Sequence, residues 1–182
     1  MDNLIFVTGS RSKLLEAERI LGRSIKQREL DLPEIQTVEV EDVVEKKAQA
    51  AYELVGGVPV IVEDTGLYIE CWKGLPGALI RWFVETVEPK GICQMLNKFP
   101  NRLATAKSVI AKYDGSLQIY TGETKGKISL APRGENGFGW DTIFIPEGET
   151  RTFAEMSPEE KDRFSMRKIA FEKLAKEERK RP

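Results

Sequence analysis

The sequence predicts an α/β fold in which helices flank a central mixed β-sheet, and three observations support this prediction. Its 182 residues, 41% of them apolar, suit one packed domain spanning residues 1–182. In the first half, short apolar runs alternate with helical patterns, as they do in βαβ units. In the second half, two long strand patterns flank Asp114, Gly115 and Ser116, which is typical of a hairpin. Because a hairpin pairs antiparallel strands, we expect a mixed sheet.

The first half of the chain predicts three strands and two helices. Apolar runs bounded by turn residues indicate buried strands, whereas apolar positions at helical spacing indicate helices. Gly22, Gly56 and Gly57 stand where helices commonly end. The third strand delivers Glu63 and Asp64 at its carboxyl end. We expect strands at residues 4–7, 25–30 and 58–62, helices at 13–21 and 40–54, and a loop at 31–34.

The second half predicts a structural turn at residues 74–77, the hairpin, a glycine-rich loop and a helical C-terminal region. Ser157, Pro158 and Glu160 form a capping-box pattern at a helix start, and Ser165 can cap a second start. We expect helices at residues 78–86 and near 91–97, hairpin strands at 104–113 and 117–127, and further strands at 142–145 and 151–153.

Charge and residue usage exclude several classes of protein. The net charge of −1 argues against a nucleic-acid partner, and no apolar run reaches transmembrane length. The chain contains no histidine, which excludes Ser-His or Cys-His catalysis and histidine zinc sites. Two cysteines without metal spacing, and an N-terminus without a basic leader region, predict a cytoplasmic protein with no membrane partner. Any hydrolysis must therefore depend on carboxylates, Lys, Arg and a hard cation.

A loop at residues 8–13 joins the first strand to the first helix. The amino terminus of a helix offers free N–H groups and a positive dipole end to a phosphate. Gly9 permits close backbone approach, and Lys13 adds a positive charge. The alternative is an ordinary strand-to-helix turn with a surface lysine, and spacing alone favours that alternative. The Gly-Lys-Ser/Thr ending of a Walker loop is absent.

Two acidic residues, Glu63 and Asp64, follow the third strand. Ligands of α/β sheets bind at the carboxyl ends of strands. Together with Glu34 from a separate loop, these carboxylates could hold Mg²⁺ and orient a water molecule. The alternative, equally compatible with the residues, is an acidic pair that caps the next turn.

A glycine-rich loop carries Phe138, Trp140 and Asp141. Aromatic rings exposed by glycines stack on nucleobases, and a carboxylate accepts from a ring N–H; the alternative is that the rings fill the core. Further along, Arg167 lies in the first turn of a helix, where a cation opposes the helix dipole. This placement suggests that Arg167 faces an anion or a carbonyl. For both Arg167 and Lys161 the alternative is a solvent-facing charge.

The motifs carry most information in their order along the chain. They are TGSRSKLLE at residues 8–16, DLPE at 31–34, VEDTGL at 62–67, LPG at 75–77, GFGWD at 137–141, TFAEM at 152–156, then Lys161 and SMR at 165–167. This series resembles the inosine triphosphate pyrophosphatase family from Thr8 to about Ala170. The resemblance implies an elongated α/β protein with a central mixed sheet, two lobes around an active-site cleft, and a homodimer. It also implies Mg²⁺-dependent hydrolysis of inosine and xanthosine triphosphates, including deoxy forms, to the monophosphate and pyrophosphate.

The resemblance also implies a role for each site residue. Glu34 and Asp64 would bind the metal, and Asp64 would accept the proton of the attacking water. From the sequence alone, Glu63 is an alternative proton acceptor. Thr65 would lie against the ligand. The residues that would bind the triphosphate are Thr8, Gly9, Ser10, Arg11, Ser12, Lys13, Lys47 and Arg81. The residues that would form the nucleoside side are Phe138, Gly139, Trp140, Asp141, Lys161, Ser165, Met166 and Arg167.

Base choice would follow from hydrogen-bonding edges. Hypoxanthine and xanthine present O6 as an acceptor and N1–H as a donor, which Arg167 and Asp141 could satisfy, whereas adenine presents the opposite pattern. Guanine shares the hypoxanthine edge, and no residue that rejects its 2-amino group is identifiable. The chain departs from the family at Ser10, Thr142 and Met166, where Asn, Pro and His are common. The missing histidine bears on base discrimination and not on hydrolysis.

Three other functions are compatible with parts of the sequence. A pyrophosphatase of similar architecture could act on modified pyrimidines or methylated nucleotides, which Met166 alone favours. A nucleotide sensor could bind without turnover, but Lys13, Glu34 and Asp64 together argue against it. An RNA-binding module could use the basic run at residues 176–181, but the net charge opposes it.

Overall fold

The computed structural model describes residues 4–179, and the chain divides into two compact units. Unit 1 consists of Met1–Asp64, Ser108–Gly122 and Arg167–Pro182, and unit 2 consists of Thr65–Lys107 and Glu123–Met166. The expectations placed on residues 1–3 and on the end of the basic run, residues 180 and 181, lie outside the described residues. The single domain expected over residues 1–182 stays a prediction.

Within residues 4–179, seven strands form a mixed β-sheet. They are β1 (Ile5–Val7), β2 (Lys26–Arg28), β3 (Val60–Ile69), β4 (Pro76–Gly77), β5 (Leu103–Tyr113), β6 (Leu117–Ile128) and β7 (Phe144–Pro146). Their order is β2-β1-β3-β5-β6-β7, with β4 paired to β3. β1 runs parallel to β2 and β3, whereas β4 runs antiparallel to β3 and β7 antiparallel to β6. The predicted α/β fold with a mixed sheet flanked by helices is confirmed.

The described part of the chain contains six α-helices, which begin and end close to the predicted positions. They are α1 (Arg11–Leu21), α2 (Val40–Leu54), α3 (Ile80–Thr86), α4 (Glu88–Met95), α5 (Pro158–Lys161) and α6 (Met166–Glu178). Gly22 ends α1 in the left-handed conformation with φ 65°, which explains why glycine is favoured there. The Ser157 hydroxyl accepts the Glu160 N–H, and the Glu160 carboxylate accepts the Ser157 N–H, so the capping box is confirmed. No helix among residues 4–179 is long and apolar enough to cross a membrane.

The structure departs from the predicted elements most clearly at residues 63–69 and at residues 151–155. The third strand does not end at residue 62, because β3 continues to Ile69 and carries Glu63 and Asp64 in its middle. Near its end, Leu67 and Tyr68 pair antiparallel with Gly77 and Pro76 of β4, and the backbone stays extended to Ile69. Residues 151–153 do not form a strand. A 3₁₀ helix occupies Phe153–Glu155, started by a capping box in which the Glu155 carboxylate accepts the Thr152 N–H at 2.7 Å.

Each unit has its own apolar core. In unit 1, the rings of Phe6 on β1 and Phe171 on α6 meet edge to face at 6.0 Å between centroids, and neither ring is exposed. In unit 2, Phe144 and Phe153 pack with their centroids 5.1 Å apart. These cores hold the strands and helices that carry the candidate site residues.

The buried ring of Phe171 gives a test of the unit 1 core. Phe171→Ala removes a fully buried aromatic side chain and should lower the free energy of unfolding by about 3–5 kcal/mol. Phe99→Ala is the control, because Phe99 is 40% exposed and its loss should cost about 1 kcal/mol or less. Urea unfolding followed by far-UV circular dichroism measures both. Equal losses for the two variants would contradict the assignment of Phe171 to the core.

Candidate functional site

The loop at residues 8–13 connects β1 to α1 and is shaped by its own hydroxyl groups. The Ser10 N–H donates to the Thr8 hydroxyl at 3.1 Å, and the Ser10 hydroxyl accepts the Lys13 N–H at 3.3 Å as the α1 cap. Gly9, Arg11 and Ser12 are exposed. The first turn of α1 is therefore accessible to an anion, which its N–H groups and dipole favour.

The Lys13 side chain extends from α1 to the middle of β3. Its Nζ lies 2.9 Å from Glu63 Oε2 and donates to the Glu63 carbonyl oxygen at 3.2 Å. The same Nζ is 3.8 Å from Asp64 Oδ1. The ammonium group is thus fixed beside two consecutive acidic residues, which argues against the alternative of a surface lysine.

Lys47 on α2 bridges the two carboxylates assigned to a metal. Its Nζ donates to Glu34 Oε1 at 2.5 Å and to Asp64 Oδ2 at 2.9 Å. Burial lowers the pKa of the Lys47 ammonium, but the charges of Asp64 and Glu34 outweigh burial and hold it above its ordinary value. Lys47 therefore stays positively charged at neutral pH.

Glu34 and Asp64 fit the chemistry of Mg²⁺. Both present carboxylate oxygens, and they already share one cationic group, the Lys47 ammonium. Among residues 4–179, no group of three or more His, Cys, Asp or Glu side chains could hold a metal ion. Mg²⁺ is commonly held by one or two carboxylates together with water and substrate phosphates, so a pair is sufficient.

A buried ion cluster lies beneath the acidic pair. Arg167 on α6 is 1% exposed and donates through Nε to Glu63 Oε1 at 3.1 Å and through NH1 to Glu16 of α1. Although burial opposes its charge, Glu63 and Glu16 raise the pKa of the Arg167 guanidinium. The Ser108 hydroxyl on β5 donates to the same Glu63 oxygen at 2.7 Å. Arg167 thus faces anions, as its position in the first turn of a helix suggested.

Burial separates the roles of Glu63 and Asp64. The Glu63 carboxylate is fully buried and is contacted by Arg167, Ser108 and Lys13. Burial alone would raise the pKa of Glu63, yet the charges of Arg167 and Lys13 bring that pKa down to about 2. The Asp64 side chain is 23% exposed. Of the two, Asp64 is therefore the carboxylate that can reach water and a ligand.

In unit 2, Asp141 organises the loop at residues 137–141. Its Oδ2 accepts the Phe138 N–H at 2.9 Å and the Lys161 ammonium at 2.7 Å. Gly137 has a φ of 77°, and a Cβ there would collide with the Asp141 carboxylate. Both the backbone angle and the space therefore require glycine at residue 137.

The two aromatic residues of this loop differ in environment. Phe138 is 40% exposed, but Trp140 is 7% exposed and packs against Phe144 at 5.6 Å between ring centroids. The expectation that glycines expose both rings is therefore wrong for Trp140. Between them, Gly139 has a φ of 61°, in the left-handed region that favours glycine.

The remaining residues expected at the nucleoside side are buried. Lys161 is 8% exposed, and its Nζ lies 5.4 Å from the Phe138 ring centroid and 5.3 Å from that of Phe153. Solvent exposure is thus excluded for Lys161, as it is for Arg167. Ser165 is 1% exposed, and Met166 is 2% exposed within the apolar core of unit 2.

The two other residues expected near the ligand lie in unit 2. Thr65 is half-buried on β3. Arg81 has a 69% exposed side chain, and its Nε donates to Glu85 Oε1 at 2.7 Å within α3. An exposed pair of this kind contributes little to stability.

Two residues of the buried ion cluster, Glu16 and Ser108, were not identified from the sequence as site residues. Glu16 belongs to an ordinary amphipathic helix pattern, and Ser108 lies within an apolar strand pattern. The sequence signal that could have identified Ser108 is its position, as a polar residue directly before the apolar Val109 and Ile110 of a buried strand.

The low pKa of Glu63 predicts a loss of stability in acid. The carboxyl pKa is about 2 in the folded chain and about 4.5 when unfolded, so its stabilisation is present above pH 4.5 and lost as the pH falls towards 2. Between about pH 5.5 and about pH 3, we expect this group to lower the free energy of unfolding by about 2 kcal/mol. Urea unfolding of wild type and Glu63→Gln at both pH values measures this difference.

The control for this measurement is Glu53→Gln, at an exposed position of α2. Its pH dependence should match that of the wild-type protein. If Glu63→Gln lost stability between the two pH values as steeply as wild type, the charged state of Glu63 would not support the fold.

Comparisons with known proteins show which family the chain resembles. The Ham1 family pattern matches residues 4–177 of the chain. A dITP/XTP pyrophosphatase from Thermococcus kodakarensis is 44% identical over 175 residues, covering 94% of this chain and 95% of that protein. An inosine triphosphate pyrophosphatase from Schizosaccharomyces pombe is 40% identical over 179 residues, covering 96% and 94%.

A solved structure shows the same fold. The HAM1 protein from Coxiella burnetii superimposes with a TM-score of 0.84 at 26% identity, covering 99% of this chain and 100% of that one. The resemblance drawn from the ordered motifs is confirmed by relatives that match over nearly the whole chain. The chain belongs to the Ham1 family.

Proposed function

We propose that this protein hydrolyses non-standard purine nucleoside triphosphates, namely ITP, dITP and XTP, to the monophosphate and pyrophosphate. Such a reaction removes deaminated nucleotides from the pool before they enter DNA and RNA. The names of relatives about 40% identical over most of the chain support the reaction and its substrate class. The observation that carries the proposal is the grouping, in unit 1, of the ammonium groups of Lys13 and Lys47 around the Asp64 carboxylate.

The triphosphate end is assigned to the loop at residues 8–13 and to Lys47, with Arg81 as a further cation. A triphosphate carries several negative charges, which need donors and cations along their length. The first turn of α1 supplies N–H groups, and Lys13 and Lys47 supply positive charge within 4 Å of Asp64. The grouping therefore favours binding of phosphate next to a carboxylate.

Asp64 is the proposed proton acceptor for the water that attacks the α-phosphorus. It is partly exposed, whereas its neighbour Glu63 is held by three donors in the interior. Glu34 and Asp64 would hold Mg²⁺, and Lys47 would exchange its contacts with them for contacts with phosphate oxygens. When bound, Mg²⁺ supplies charge neutralisation along the phosphates and polarises the bond to be broken.

The nucleoside end is assigned to residues 138–141, Lys161, Ser165 and Met166, with Thr65 against the ligand. The exposed Phe138 ring suits stacking on a base, and Asp141 fixes the backbone of the loop that carries it. Direct donation from Arg167 to the base stays a prediction. In this structure the Arg167 guanidinium is buried and contacts the carboxylates of Glu16 and Glu63.

We further propose that the protein is a cytoplasmic homodimer. The thiols of Cys71 and Cys93 are both free, in keeping with a reducing compartment. Sedimentation velocity would measure the assembly state, and cell fractionation would measure the location. A single species with the mass of one chain would contradict the dimer.

The substrate range is tested by pyrophosphate release from ITP, dITP, XTP, ATP and GTP, with Mg²⁺ and with EDTA. We expect kcat/KM for the first three to exceed that for ATP by at least about 100-fold, because a site that pairs with the O6 and N1–H edge leaves groups unpaired against adenine. EDTA should abolish turnover. Equal rates on all five nucleotides would overturn the specificity, and no hydrolysis of any would overturn the enzymatic function.

Asp64→Asn tests the proton acceptor. The amide keeps the shape of the side chain but loses its basicity, so kcat should fall by about 10²–10⁴-fold while the circular dichroism spectrum is retained. Asp42→Asn, at an exposed position of α2, is the matched control and should keep kcat. Near-normal turnover by a folded Asp64→Asn protein would reject the assigned role.

A further inference from the structure

Ser108 is a polar residue in the most buried part of β5. It is 0% exposed, and the apolar residues Val109, Ile110 and Ala111 that follow it are equally buried. Its hydroxyl donates to Glu63 Oε1 at 2.7 Å. A hydroxyl in such surroundings costs free energy unless it is hydrogen-bonded, and here its acceptor is a charged carboxylate.

The hydrogen bond from Ser108 fixes which oxygen of Glu63 faces which cation. Oε1 receives both the Ser108 hydroxyl at 2.7 Å and the Arg167 Nε at 3.1 Å. The other oxygen, Oε2, faces Lys13, and the Lys13 Nζ lies 2.9 Å from it. Two donors on one oxygen set the rotation of the carboxylate, and this rotation sets where the second oxygen stands.

Lys13 depends on that second oxygen for its position. Its side chain carries several rotatable bonds and ends in an ammonium group that is only partly covered, at 17% exposure. The nearer contacts of Nζ are Glu63 Oε2 at 2.9 Å and the Glu63 carbonyl oxygen at 3.2 Å, whereas Asp64 Oδ1 is more distant at 3.8 Å. Both nearer contacts belong to a residue that Ser108 and Arg167 hold in place.

We propose that Ser108 is a positioning residue for phosphate binding, acting through Glu63 to hold the Lys13 ammonium where a substrate phosphate meets it. The proposal rests on the function proposed above, in which Lys13 contacts the triphosphate. Ser108 itself touches no substrate. Its removal leaves Glu63 with one donor fewer on Oε1, so the carboxylate rotates more freely and Lys13 samples more positions.

Ser129 provides a matched control for a purely structural hydroxyl. It is 4% exposed, and its hydroxyl donates at 2.7 Å to the carbonyl oxygen of Ala131. Ser129→Ala and Ser108→Ala therefore each delete a hydroxyl that donates at 2.7 Å, and the Ser129 hydroxyl also hydrogen-bonds with the Cys93 thiol. Only the second deletion bears on Lys13.

The experiment measures binding of inorganic pyrophosphate with Mg²⁺ by isothermal titration calorimetry. Ser108→Ala should raise the Kd for pyrophosphate by about tenfold, because a hydrogen bond to a charged group that orders a binding lysine is lost. Ser108→Cys, with a weaker S–H donor, should fall between wild type and Ser108→Ala. Ser129→Ala should bind as wild type, although both alanine variants melt at a lower temperature.

Steady-state kinetics on ITP give a second reading. Ser108→Ala should raise KM by about tenfold and change kcat by less than about threefold, because Lys13 meets phosphate charge in both ground and transition states. A structural role would lower the melting temperature without this division between KM and kcat.

The outcomes separate the two proposals. If wild type hydrolyses ITP and binds pyrophosphate but Ser108→Ala behaves as Ser129→Ala in both measurements, the positioning role is overturned and the proposed function stands. If wild type neither hydrolyses ITP nor binds pyrophosphate, both are overturned. A graded weakening from Ser to Cys to Ala, with unchanged Ser129→Ala, supports the role of Ser108.

Discussion

The buried charge of Arg167 is the constraint on which the rest of unit 1 depends. A guanidinium that is 1% exposed must be paired, and its partners are Glu16 on α1 and Glu63 on β3. Removing one partner of such a cluster leaves an uncompensated charge in the interior, which typically costs about 3–5 kcal/mol. The cluster therefore holds α1, β3 and α6 in one arrangement. The loop before α1 and the acidic pair on β3 take their positions from that arrangement.

Because Arg167 must be paired in the interior, the consecutive residues Glu63 and Asp64 on β3 have different environments. Side chains alternate along β3, so when Glu63 points to Arg167 in the interior, Asp64 points the other way and keeps 23% of its side chain exposed. The same carboxylate chemistry thereby serves two purposes. Glu63 forms ion pairs with Arg167 and Lys13 that stabilise the fold, while Asp64 pairs with Lys47 and can reach water and a ligand. A strand that is shifted by one residue would exchange these roles and bury the wrong acid.

Local signals explain which parts of the structure were predictable from the sequence. The Gly22 end of α1 and the Ser157 capping box are encoded within a few residues, and both occur as expected. The continuation of β3 past Asp64 and the burial of Trp140 follow from how the strands and the rings of Phe144 and Phe153 pack in the folded chain, which the residue pattern did not show. Ser108 and Glu16 look ordinary in sequence, because their hydrogen-bonding partners, Glu63 and Arg167, lie far from them along the chain. The ordered motifs, in contrast, identified the family from sequence alone.

The base end of the proposed site is constrained by what its side chains already do. One oxygen of Asp141 accepts both the Phe138 N–H and the Lys161 ammonium, so Asp141 organises its own loop. Met166 carries no hydrogen-bond donor and lies in the apolar core of unit 2, so its side chain cannot donate to a base. In the proposed site, discrimination between purines would then depend on the loop at residues 137–141, held by a glycine and a buried ion pair, and not on a donor at residue 166. A loop fixed in this way would reject a wrong base by leaving its hydrogen-bonding groups unpaired, which is a larger penalty than a loss of apolar contact.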